Sequence, residues 1–136
     1  MTTQKTILVV EDEPDQVTYL DTLFKDEGFV VITAPNGREG FEKAKAGHPD
    51  LITLDISMPE ESGVRMFRDL QGDPATSGIP VLIITGITHD FKQFIETRKQ
   101  VRPPQGYFDK PPDREKLLAK INELLGKEDR KSGPKS

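Results

Sequence analysis

The sequence predicts a doubly wound α/β domain, a five-stranded parallel sheet with five helices packed on its two faces. Two observations carry this. The runs Ile7-Leu-Val-Val10, Leu51-Ile-Thr-Leu54 and Val81-Leu-Ile-Ile84 are nearly continuous apolar stretches, the pattern of strands buried on both sides of a parallel sheet. Between them, segments of helical periodicity alternate with Gly- and Pro-punctuated loops. A third observation concerns chemistry. The first run delivers Glu11-Asp12-Glu13, the second delivers Asp55 into a loop with Pro59 and Gly63, and the third ends at Thr85-Gly86. Strand tips of this kind are where open α/β sheets place their ligands.

Taken in order, the first strand is Thr6 to Val10. A helix starts at Pro14, a favoured first-turn residue, and carries Val17, Leu20, Leu23 and Phe24 on one face until Gly28 stops it. Gln16 and Tyr19 fall off that stripe and are expected to be exposed. Val30 to Ala34 is the second strand. Asn36-Gly37 is a turn and cap, and the helix through Phe41 and Ala44 ends at Gly47, with His48 in the following loop. Leu51 to Asp55 is the third strand. Val64, Met66, Phe67 and Leu70 mark the third helix, and Gly72 to Gly78 is a loop. Pro80 to Thr85 is the fourth strand. A helix from about Asp90 to Lys99 follows, then a short strand from Gly106 to Asp109. Leu117, Leu118, Ile121, Leu124 and Leu125 give the last helix a clear stripe. The expected organisation is one domain over residues 1–125 and a disordered polar tail over 126–136, where Lys, Arg, Ser and Gly replace the periodic pattern.

Composition narrows the function. A chain of 136 residues supports one buried core. Its net charge of −4 disfavours nucleic-acid binding, which needs a basic surface. With no cysteines, disulfide frameworks and thiol catalysis are excluded. Neither a signal-peptide apolar region nor a membrane-length run is present, so the expected location is the cytoplasm and no membrane partner is expected.

In a sheet that places the first, third and fourth strands side by side, Glu11, Asp12 and Asp55 converge. Carboxylates about 5 Å apart repel by roughly 3 kcal/mol per pair at an effective dielectric near 20. A hard divalent cation with oxygen ligands, such as Mg²⁺, offsets that repulsion. Lys110 can neutralise part of the remainder, and the Thr85 hydroxyl can donate to an anionic oxygen.

On four motifs the chain resembles the receiver domain of bacterial response regulators. They are Ile7-Leu-Val-Val-Glu-Asp-Glu-Pro14, Leu54-Asp-Ile-Ser-Met-Pro59 with Gly63, Ile83-Ile-Thr-Gly86, and Tyr107-Phe-Asp-Lys-Pro111. Each is weak alone, and together they are specific over about Lys5 to Leu125. The resemblance implies a flavodoxin-like strand order 2-1-3-4-5 and a phosphoacceptor module of a two-component phosphorelay. It implies that Asp55 is the phosphoacceptor. Mg²⁺ is held by Asp12, Asp55 and the Ser57 backbone carbonyl, with Glu11 assisting through water. Thr85 binds phosphoryl oxygens and switches position, Tyr107 is the aromatic that follows it, and Lys110 pairs with Asp55 and then with the phosphoryl group. A cis Lys110–Pro111 bond is also implied. The implied partners are a sensor histidine kinase or histidine phosphotransfer protein and a downstream protein. The chemistry is that of a signalling domain with its own Mg²⁺-dependent autophosphorylation and autodephosphorylation, not of a dedicated enzyme.

The sequence departs from the family at a few places. Gly86 stands where Ala is usual, the Thr85–Lys110 segment is a few residues longer than usual, and Pro103-Pro104 replaces a Gly-Ala turn. Proline cannot continue a helix and removes backbone donors, so an irregular loop beside Tyr107 is expected, and with it a mainly monomeric protein. No output domain follows residue 125, so output by protein contact or onward phosphoryl transfer is expected. The competing reading is an aspartyl-phosphate phosphatase of the haloacid-dehalogenase type. It expects a second Asp two residues after the nucleophile, and Ser57 stands there. Tyr107 as a plain core-edge aromatic and Ser57 as a plain loop residue are the bland alternatives at those positions.

Overall fold

The computed structural model describes residues 4–58, 62–86 and 102–126. Strands β1 (Thr6–Val10), β2 (Val30–Ala34), β3 (Leu51–Leu54), β4 (Val81–Thr85) and β5 (Gly106–Asp109) form one parallel sheet in the order β2-β1-β3-β4-β5. Among the described residues there are four helices: α1 (Pro14–Asp26), α2 (Gly37–Gly47), α3 (Ser62–Gly72) and α4 (Arg114–Leu125). The helix expected over 90–99 and the tail over 127–136 lie outside the described residues.

Alternation along the strands sends side chains into two separate cores. Leu8 and Val10 of β1, Ile52 and Leu54 of β3 and Ile83 of β4 pack with Ala44, Met66, Phe67 and Leu70 of α2 and α3. Ile7 and Val9, Leu51, and Leu82 and Ile84 pack with Leu20, Leu23 and Phe24 of α1 and with Leu117 and Ile121 of α4. Both faces of the central strands are therefore sealed, which is why β1, β3 and β4 read as unbroken apolar runs. β2 is an edge strand, and Val30 at its start is 41% exposed. The Lys43 ammonium donates to the Thr33 carbonyl of that strand at 2.6 Å.

The helix ends follow from local chemistry. Pro14 opens α1, and Gly28, at φ 91°, turns the chain out of it. The Asn36 side chain accepts from the Glu39 N–H at 2.9 Å and donates back to its carboxylate at 3.2 Å, a reciprocal cap on α2. The Asp113 carboxylate caps α4 by accepting from the Lys116 N–H at 3.0 Å, and Gly126 closes that helix in the left-handed conformation. Gly126, assigned to the tail from composition, is thus the cap of α4.

Three expectations are corrected. β3 ends at Leu54 and β4 starts at Val81, so Asp55 lies just past its strand. Gln16 is half-buried rather than exposed, because it lies one helical turn before Leu20 on the buried face; its amide oxygen is enclosed. The Pro103–Pro104 stretch precedes β5 and lies at the end of the sheet opposite Asp55. It borders a cavity of about 170 Å³ lined by Phe67, Leu70, Thr76 and Val81. There it is pinned by the Gln71 side chain, which donates to the Arg102 carbonyl at 2.6 Å and accepts from its N–H at 2.9 Å.

One glycine couples this frame to the site. A β-carbon on Gly63 would intrude on the Asp55 carbonyl oxygen and come within 2.6 Å of the Ile56 α-carbon. The start of α3 therefore lies directly against the backbone that carries Asp55. Gly63→Ala is expected to destabilise the fold by about 1–3 kcal/mol through overpacking, read as a lower midpoint in urea unfolding.

Candidate functional site

The strand ladder itself sets the positions of the site residues. Hydrogen bonding continues one step past the strands: Glu11 N–H donates to the Ala34 carbonyl at 3.0 Å, Asp55 N–H to the Val10 carbonyl at 3.1 Å, and Lys110 N–H to the Thr85 carbonyl at 3.3 Å. With strand order fixed, Glu11, Asp55, Thr85 and Lys110 are brought together at the C-terminal end of the sheet. Glu11, Asp55 and Thr85 are all buried there. The Lys110–Pro111 peptide bond is cis, as the motif implied.

Lys110 is the hub. Its ammonium donates to Asp55 Oδ2 at 2.9 Å, to Glu11 Oε2 at 3.0 Å and to Glu13 Oε1 at 2.6 Å. Asp55 Oδ1 accepts from the Ser57 N–H at 2.9 Å and from the Ser57 hydroxyl at 2.7 Å. The two Asp55 oxygens are thus held by different partners. Glu11 Oε2 also accepts from the Glu13 N–H at 3.1 Å, which folds the acidic loop back on itself.

These contacts push the titrations apart. Burial alone would raise the Asp55 pKa, but the Ser57 N–H, the Lys110 ammonium, the Ser57 hydroxyl and the Thr85 side chain together hold it below the ordinary carboxylate value. Glu11 goes the other way. Burial, reinforced by the Asp55 charge, lifts its pKa to about 7 against the opposing pull of Lys110. For Lys110, burial favours the neutral amine, but the hydrogen bonds to Glu13, Asp55 and Glu11 outweigh it and hold the pKa well above the usual lysine value.

Carboxylate oxygens of Glu11, Asp12 and Asp55 all lie within 4.8 Å of one another. Asp12 is exposed, unlike the other two, so the cluster opens toward solvent on its side. An all-oxygen, multiply charged donor set suits a hard cation of the Mg²⁺ type. Ser57 follows Asp55 closely enough to hold its carboxylate by both backbone and side chain. Tyr107 is half-buried in β5 and packs against the α2–α3 core, a placement shared by the switch role and the core-edge reading.

Glu13 is the residue that the motifs alone did not single out. No spacing signal set it apart: the chain bends at Asp12, and the Glu13 N–H bond to Glu11 brings the Glu13 side chain beside Glu11 on Lys110.

The sequence matches the family of the response regulator receiver domain over residues 7–122. PilH of Pseudomonas aeruginosa is 35% identical over 119 residues, which span 88% of this chain and 96% of PilH. The polar-differentiation response regulator DivK of Brucella ovis is 29% identical, over 90% of this chain and 97% of its own. Among solved structures, the chemotaxis response regulator CheY4 of Vibrio cholerae superposes with a TM-score of 0.77 at 27% identity, covering 90% of this chain and all, 100%, of that one. The receiver domain of sensor histidine kinase PA1611 from Pseudomonas aeruginosa, solved with a magnesium ion coordinated in its active-site cleft, superposes with a TM-score of 0.79 at 22% identity, covering 91% and 99%.

The raised Glu11 pKa makes the metal-free protein pH-sensitive. The folded-state pKa of about 7 exceeds the reference 4.5, so the unfolded chain releases this proton first. Folding is therefore disfavoured progressively as pH rises through that window. Thermal unfolding in EDTA is expected to show Glu11→Gln gaining on the parent across that range, with the two running parallel below it.

Proposed function

The chain belongs to the response regulator receiver family, and from that premise we propose that Asp55 is the residue on which this two-component signalling module carries its phosphoryl group. The observation that supports it most directly is the state of the Asp55 carboxylate. It is buried, kept ionised by Ser57 and Lys110, and next to two further acids in an arrangement fit for a cation.

A carboxylate that stays charged in a sheltered site is a competent nucleophile. Attack of an Asp55 oxygen on the phosphorus of a kinase phosphohistidine forms an O–P bond. The P–N bond breaks, and the departing imidazole takes up a proton. Lys110 meets the negative charge on the phosphoryl oxygens, and the Thr85 hydroxyl donates to one of them, so the barrier falls mainly through positioning and electrostatics. Mg²⁺ held by Asp12, Asp55 and the Ser57 backbone carbonyl, with Glu11 assisting through water, would supply the positive charge that lets a phosphoryl dianion approach a carboxylate cluster. The Mg²⁺ reading draws on the oxygen cluster here and on the magnesium in the cleft of the PA1611 receiver domain. The acyl phosphate formed on Asp55 is an activated anhydride, and water hydrolyses it at the same site.

Once formed, the phosphoryl group draws Thr85 inward and Tyr107 follows into the space released, which biases a protein-binding surface between two states. The donor is a sensor histidine kinase or a histidine phosphotransfer protein, and output runs through a downstream protein. A net charge of −4 disfavours nucleic acid as a partner, and no described helix is long and apolar enough to cross a membrane.

Incubation with acetyl phosphate and Mg²⁺ is expected to add one phosphoryl mass, base-labile and located at Asp55 by mass spectrometry. Asp55→Asn is expected to take up none; uptake at the parent's level would refute the assignment. Millimolar Mg²⁺ is expected to raise the parent's melting temperature by binding the native state. Asp12→Ala loses a ligand, so its melting temperature is expected not to move; an equal rise would place the ion elsewhere.

A further inference from the structure

Three carboxylates hold the Lys110 ammonium, and they are not alike. The side chains of Glu11 and Asp55 are each 2% exposed, whereas that of Glu13 is 60% exposed. An ammonium has three donor protons and no acceptor, and Lys110 has three carboxylate contacts to spend them on. A phosphoryl oxygen arriving at Asp55 therefore needs one of these bonds released. Before the bond to phosphorus forms, releasing Asp55 would strand its buried charge, and releasing Glu11 would leave a buried carboxyl without its cation; both are costly. Releasing Glu13 returns a solvated carboxylate to water, and exposed ion pairs are weak.

An acid at the start of α1 suits the helix dipole, but the dipole does not require the contact that Glu13 makes with Lys110. Glu13 occupies the N-cap position of α1 with extended backbone, yet its side chain makes no capping hydrogen bond. Its own N–H is fixed on Glu11 Oε2 at 3.1 Å, so the backbone is anchored while the side chain alone reaches across to Lys110.

We propose that Glu13 is a positioning residue acting through Lys110, a detachable counter-ion that holds the ammonium at the mouth of the site and restrains phosphoryl uptake until the phosphoryl group displaces it. This rests on the reading of Asp55 as phosphoacceptor. With acetyl phosphate as donor, an Asp55 oxygen bonds to phosphorus, the bond from phosphorus to the acetate oxygen breaks, and acetate leaves with the electron pair. No proton changes hands, and Lys110 turns one N–H from Glu13 to a phosphoryl oxygen. Removing the Glu13 charge both weakens its hold on that donor and lowers the repulsion of an anionic phosphodonor, so both effects accelerate uptake.

The test compares the parent, Glu13→Gln and Glu13→Asp by the rate of Asp55 phosphorylation from acetyl phosphate with Mg²⁺, and by the lysine ammonium ¹⁵N signals of the metal-free protein without donor. Glu13→Gln is expected to take up phosphoryl about two- to fivefold faster at low salt, the range of an exposed ion pair. The gain is expected to shrink as salt screens the exposed charge. Glu13→Asp, which keeps the charge, is expected to return toward the parent's rate and salt dependence. The Lys110 ammonium protons are expected to exchange faster with water in Glu13→Gln. Equal or slower uptake by Glu13→Gln at low salt, or an unchanged Lys110 signal, overturns the proposal. A parent that takes up no phosphoryl at Asp55 instead overturns the reading beneath it, an outcome distinct from parent and variant reacting at equal rates.

Discussion

One ammonium set against three carboxylates governs the organisation of this molecule. Lys110 lies within 3.0 Å of oxygens from Glu11, Glu13 and Asp55, and two of those acids are buried. Without a cation between them, Glu11 and Asp55 would repel in a region where water screens poorly. The site is therefore a charge balance built into the C-terminal end of the sheet, and the elements around it keep those charges in place. The ladder fixes the backbones of Glu11, Asp55 and Lys110. Gly63 lets α3 close over the Asp55 carbonyl, and Ser57 holds the far Asp55 oxygen while Lys110 holds the near one.

The sheet explains why so much charge can be gathered in so small a protein. Its central strands are sealed on both faces by separate apolar clusters, so the frame takes its stability from burial that does not involve the site. β1 and β3 are adjacent although they are not consecutive in sequence, and the connections from them depart to opposite faces. This reversal leaves an opening at the strand ends where side chains can point outward from the sheet. Asp55, one step beyond β3, lies in that opening.

Much of this was legible in the sequence because the physics is local or periodic. Apolar runs announced the buried strands, and each acid or hydroxyl after a run marked a tip. The order of residues along the chain was therefore enough to gather Glu11, Asp12, Asp55, Thr85 and Lys110 into one site. What escaped depended on side-chain reach or on packing. Glu13 sits among acids of the same type, and only its reach across the bend at Asp12 to Lys110 separates it from its neighbours. Gln16 is polar and was assigned outward, yet its helical phase is that of Leu20 and Phe24. Pro103–Pro104 correctly signalled irregular backbone. Its neighbour in space, however, is the end of α3, reached through Gln71, a residue with no motif to advertise it. The segments 59–61 and 87–101 lie outside the described residues, and with them the expected helix over 90–99.

The same electric field that stabilises the cluster also divides the labour within it. Glu11 and Asp55 are both carboxylates, both buried, and share Lys110, yet their titrations move in opposite directions. The difference lies in hydrogen-bond donors. Asp55 receives two from Ser57 and one from Lys110, with help from Thr85, and these favour the charged form. Glu11 has fewer, and it feels the neighbouring Asp55 charge as repulsion. Paired carboxylates pushed apart in this way take different roles. The one kept ionised suits a nucleophile. The one poised near neutrality is easily charged when a cation arrives, and without a cation its proton limits the repulsion. Burial, usually an obstacle to charge, is what makes these donors decisive, because in open water both acids would ionise alike.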